Sequence, residues 1–177
     1  VGEKRRLPVV QDSPPPATPV APWKWSVFCV GLSFLFWAAF AMLAAPLSTF
    51  LLRRQVGRWS TPEDLGALLG AATEETLRVV ALENLAVQVA SLALASFLAG
   101  FIVGKWGPDA AVALSGVAGV LVGVLALAVA LAGGVAGAGE GHVMLVAASL
   151  VIIPCAAGAA ALGARQGRQR RVEVPLG

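Results

Sequence analysis

The chain has no tyrosine, a single histidine, two cysteines, and only 13 basic and 10 acidic side chains in 177 residues. Each shortage excludes something. Charged residues make up 13% of the chain and apolar ones 58%, where a soluble domain carries about 25% and about 45–50%. An ordinary soluble globular protein is therefore excluded. Two cysteines cannot build a disulfide scaffold. One histidine excludes a bis-histidine haem; a pairing of His142 with Met42 or Met144 has no supporting pattern. A net charge of +3, with the basic residues in short clusters between apolar runs, disfavours a nucleic-acid partner. The nucleotide, zinc-protease, esterase and calcium-loop signatures are missing as well.

Long apolar runs are what the sequence has in plenty. About 20 mainly apolar residues cross the hydrocarbon core of a bilayer. Four stretches qualify, at 26–52, 85–103, 110–131 and 143–162. They are continuous rather than alternating, which predicts helices and not barrel strands. The first is too long for the 7–15-residue apolar region of a cleaved signal peptide and reads as a retained span, loosened near its far end by Pro46. The expected fold is all-α: four transmembrane helices with an amphipathic helical segment between the first two.

Charge sets the expected orientation. Four spans put both termini on one side, with Lys4, Arg5, Arg6, Lys24, Lys105, Arg165, Arg168, Arg170 and Arg171. Arg53, Arg54, Arg58 and Arg78 fall on the other. The positive-inside rule then makes both termini cytoplasmic, with Arg165, Arg168, Arg170 and Arg171 as the main topology anchors in a basic tail, 165–177. Trp23, Trp25, Trp59 and Trp106 suit an interfacial belt. The Ala, Gly, Val, Leu, Arg and Pro bias fits a GC-rich bacterial genome, so the expected location is the bacterial cytoplasmic (inner) membrane.

Outside the spans, residues 1–22 form a Pro-rich tail, whose Pro16, Pro19 and Pro22 match the polyproline II repeat. In the outer loop, 53–84, Thr61 reads as an N-cap, followed by Pro62 and the acids Glu63 and Asp64. Leu65, Leu68 and Leu69 then give a short helix an apolar side for the membrane surface. Thr73-Glu74-Glu75-Thr76 starts a second helix, expected to run from about Glu74 through the second span to Gly104. Gly107-Pro108 supplies a tight turn that predicts an antiparallel hairpin of spans two and three. Residues 133–142 read as a flexible Gly-rich connection.

Two residue sets are candidates for function. Gly100, Gly104, Gly116, Gly119, Gly123 and Gly158 lie at spacings that let helix backbones approach closely, a glycine-zipper pattern. Asn84, Gln88 and Ser91 form a polar stripe on the second span, with Glu83 beside it. Interhelical hydrogen bonding explains the stripe; a proton or cation path would need further relays. Glu140 and His142 are too few for zinc. Cys29 and Cys155 read as buried small apolar residues.

The hairpin's glycine spacing, Gly100-x-x-x-Gly104 followed by Gly116, Gly119 and Gly123, is loosely similar to that of small four-span bacterial membrane proteins of unknown role. The resemblance transfers no site. The expected function is a non-catalytic accessory or structural subunit of an inner-membrane complex. Its partners would be other membrane subunits and the bilayer, with no cofactor, no metal and no nucleic acid. The alternative is a small oligomeric transporter or channel with a polar path near Glu83, Asn84 and Gln88.

Overall fold

A computed structural model describes residues 21–132 and 141–172, with side chains described for 21–129 and 150–171. Five helices account for almost all of it: α1 (Pro22–Val56), α2 (Pro62–Ala71), α3 (Glu74–Trp106), α4 (Ala111–Ala132) and α5 (Gly141–Val172). No strand occurs among the described residues. Four of the helices are long and apolar enough to span a membrane. Most of the Pro-rich tail, the Gly-rich connection and the side chains of Glu140 and His142 lie outside the described residues.

Local sequence explains where the helices begin and end. Pro22, the last proline of the expected tail, sits in the first turn of α1, where its missing N–H costs nothing. α1 continues through Pro46 to Val56, and the Thr49 hydroxyl donates to Ala45 O at 2.9 Å. It stops at Gly57, whose φ of 99° suits glycine. At 35 residues, α1 is about 52 Å long. That exceeds a hydrocarbon core of about 30 Å, so the helix projects beyond it.

Thr61 caps α2 reciprocally. Its hydroxyl accepts from Asp64 N at 3.2 Å, and the Asp64 carboxylate accepts from the backbone N–H groups of Thr61 and Ser60 at 3.1 and 3.3 Å. Leu65, Leu68 and Leu69 are half-buried on an otherwise exposed helix. Thr73 caps α3 by accepting from Thr76 N, and Arg78 pairs with Glu74 at 2.7 Å one turn on. α3 then runs unbroken for 33 residues to Trp106.

The bundle is a ring in the order α1, α3, α5, α4. The α3–α5 contact is the most extensive, followed by α1–α3 and α4–α5, then α1–α4. α3 and α4 lie across the ring and touch least of these pairs. The expected hairpin is present, but its two helices touch less than either touches α5. The Gly107-Pro108 turn joins α3 to α4, but both turn their small-residue faces to α5, which lies between them. A correction concerns the basic tail: α5 stays helical through Arg165, Arg168, Arg170 and Arg171 to Val172. Arginine and glutamine are good helix formers, and glycines within the run pack on α3.

Two clusters fill the interior. Cys29, Ala99, Val103, Ala111 and Ala118 form one; Leu92, Val122, Ala126, Ile152 and Ala156 form the other. The start of α1, the end of α3, the start of α4 and the end of α5 share one end of the bundle.

Candidate functional site

The α3–α5 seam is built from glycine on both sides. Gly100 and Gly104 of α3 face the backbone carbonyls of Ala160 and Ala164. Gly163 and Gly167 of α5 face the carbonyls of Phe97 and Phe101 in return. A Cβ on Gly163 would stand 2.9 Å from Phe101 N, and one on Gly167 would stand 2.9 Å from Lys105 N. No side chain fits in that space, so the two backbones approach until they touch. In lipid, such contact is what drives helix association.

The α4–α5 seam works in the same way. A Cβ on Gly119 would lie 2.6 Å from both Ala156 O and Ala157 Cα; one on Gly123 would lie 2.8 Å from Ile153 Cα. Two expected packing residues differ. Gly116 has only Ala161 Cβ near it, at 4.0 Å, and Gly158 has nothing within 4 Å. Gly158 is turned away from α3 and α4, because the neighbouring positions Ala156 and Ala160 carry the contact. Gly163 and Gly167 were not among the expected residues. Gly163 lies just beyond the apolar run of the fourth span, and Gly167 inside an arginine run. Their four-residue spacing was the available signal.

The polar residues of α3 meet different surroundings. Glu83 pairs across to α1, where Gln55 Nε2 donates to Glu83 Oε1 at 3.1 Å, while Glu83 Oε2 is buried without a partner. Asn84 is exposed and Gln88 half-buried. Ser91 donates to Val87 O of its own helix at 2.8 Å. Asn84, Gln88 and Ser91 share one face of α3, and Glu83 is turned from it toward α1.

Hydroxyl groups inside the bundle form a further set. Ser33 donates to Cys29 O at 2.9 Å. Ser96 and Ser115 are fully buried; Ser115 lies beside the Cys29 thiol, and the Ser96 hydroxyl has no hydrogen-bond partner. Their small size is the reason: serine enters an Ala/Gly interior with little added volume. Cys29 and Cys155 are both free thiols, Cys29 buried and Cys155 half-buried. No group of three or more metal-ligating side chains occurs among the described residues.

The two ends of the bundle differ in charge. Among the described residues, the end with the start of α1 carries Lys24, Lys105, Arg165, Arg168, Arg170 and Arg171 against the single acid Asp109. Here Arg168 donates to Asp109 O at 3.0 Å and Arg171 to Gly107 O at 3.0 Å, so the end of α5 is tied to the α3–α4 turn. Arg165 and Arg170 are exposed. At the opposite end Arg53, Arg54, Arg58 and Arg78 mix with Glu63, Asp64, Glu74, Glu75 and Glu83. Arg53 also lies over the Trp59 ring, 5.3 Å from its centroid. On α2, the backbone N–H groups of Thr61 and Ser60 and the Thr61 hydroxyl hold the Asp64 carboxyl below its usual pKa.

No family model, curated protein or solved structure matches this chain.

Proposed function

We propose that this chain is a non-catalytic accessory or structural subunit of a bacterial inner-membrane protein complex. Both termini of the spanning bundle would face the cytoplasm, as the basic end of the bundle favours. The observation that carries the reading is the closed interior. Where α3, α4 and α5 meet, the space is filled by Ala95, Ala99, Ala156 and Ala160 and by glycine-to-backbone contact. Among the described residues that seam leaves no room for a substrate, which favours a role exercised on the outer surface. α1 supplies much of that surface: 11% of its apolar window is buried inside the chain, against 39% for α3. Leu35, Met42, Leu43 and Phe50 are exposed along it.

The test is purification from native membranes in mild detergent on a C-terminal tag, with mass spectrometry of what co-purifies. A stoichiometric set of other membrane proteins is the expected result. Recovery of this chain alone would overturn the reading.

A second reading, a small oligomeric transporter or channel, draws on one observation. Glu83 Oε2 is buried without a partner, and the adjacent Asn84 is exposed. A neighbouring copy could complete that polar site. Liposomes holding this chain alone would then conduct or transport, and Glu83→Gln would abolish it.

A further inference from the structure

At the basic end of the bundle, α1 and α3 enclose an open groove of 360 Å³. Trp25 and Phe28 of α1 and Ile102 and Trp106 of α3 form its apolar wall, and Lys24 completes the lining. Trp25 and Phe28 meet edge to face with their centroids 6.0 Å apart, which stiffens one side. Lys105 holds its ammonium 4.9 Å from the Trp106 ring centroid on the other. Trp23 and Trp106 are largely exposed, at 62% and 61%.

We propose that this groove is a binding site for one anionic phospholipid. Its acyl chain lies against Phe28 and Ile102, and its headgroup phosphate meets Lys24, with Lys105 alongside. Three features of the groove select that occupant. The wall is apolar, so a water-soluble ligand would leave its hydration for a surface that returns no uncharged hydrogen-bond partner. The groove sits where α1 begins and α3 ends, flanked by tryptophans, which is the depth of the headgroup boundary. The cations at its rim belong to an end of the bundle where, among the described residues, Asp109 is the single acid, so a negative headgroup gains what a zwitterionic one does not. Basic pockets between spanning helices take anionic headgroups by this logic.

The experiment is native mass spectrometry of the full chain. The protein is exchanged into a mild detergent with equal amounts of phosphatidylglycerol and phosphatidylcholine of matched acyl chains. One phosphatidylglycerol is expected to be retained preferentially. Lys24→Gln should reduce that preference about fivefold, and Lys24→Gln with Lys105→Gln should reduce it further. Arg54→Gln, at the opposite end, should leave it unchanged. Ile102→Trp, which fills the groove, should remove the bound lipid. Lys24 is exposed, so its replacement leaves the bundle folded and the outcome readable even where Ile102→Trp does not fold. Equal retention of the two lipids overturns the site. So does a loss that is the same for Arg54→Gln as for Lys24→Gln, because bulk charge then explains the binding.

Discussion

Gly104 of α3 lies directly against the backbone carbonyl of Ala164 in α5, with no side chain between them. A methyl group at Gly104 has nowhere to go except by moving one helix away from the other.

Gly104→Ala should therefore lower the thermal midpoint of the detergent-solubilised protein, with a cost of about 1–3 kcal/mol. Gly167→Ala should do the same from the other side. Gly158→Ala is the control. That position is open, and removing a mid-helix glycine gains up to about 1 kcal/mol of helix propensity. Equal effects at Gly104 and Gly158 would show that α3 and α5 are not in backbone contact.

Gln55 and Glu83 should be energetically coupled. A double-mutant cycle with Gln55→Ala and Glu83→Ala, read by thermal or denaturant unfolding, should give a coupling of about 1 kcal/mol. Strict additivity would mean that α1 and α3 do not meet at this level.

The α2 cap should be sensitive to acid. The Asp64 carboxyl is held below its usual pKa by the groups it accepts from, Thr61 and Ser60. A depressed folded-state pKa stabilises the fold above the unfolded value of about 3.9. That contribution fades as the pH falls through the lower, folded value. In an NMR titration the Ser60 and Thr61 amide shifts should move with a midpoint below 3.9. Asp64→Asn should abolish the transition. A midpoint at or above 3.9 would mean that the carboxylate does not cap the helix.

Arg58 and Arg170 should label from opposite sides of the membrane. In a background with Cys29 and Cys155 replaced by alanine, Arg58→Cys and Arg170→Cys are treated with a membrane-impermeant maleimide in intact cells. Position 58 should react and position 170 should react only after lysis. The reverse pattern would invert the proposed orientation. Labelling of both in intact cells would contradict the four-span topology.

Several of these features were legible in the sequence, each for a local reason. Thr61-Pro62 and Thr73-Glu74 announce their helices because capping chemistry depends on neighbours only a few residues apart. The spans stand out because lipid requires a long apolar run. What stayed hidden was pairing. The turn at Gly107-Pro108 shows that α3 and α4 are joined, yet nothing local to it reveals that α5 lies between them. Gly163 and Gly167 were obscured by the arginines around them, since a charged run reads as a tail until its other face is seen against α3. Glu83 looked like the neighbour of Asn84 and Gln88, but its partner, Gln55, lies on a helix 28 residues earlier in the chain.

The ring order also has a consequence for biogenesis. α5 provides the surface on which α3 and α4 both pack, yet it is the last of the four spans to be synthesised. A chain that has delivered α1, α3 and α4 to the bilayer still has two uncovered glycine faces and no partner for either. Such an intermediate cannot close on itself. During translation those faces are therefore left to lipid or to insertion machinery until α5 arrives.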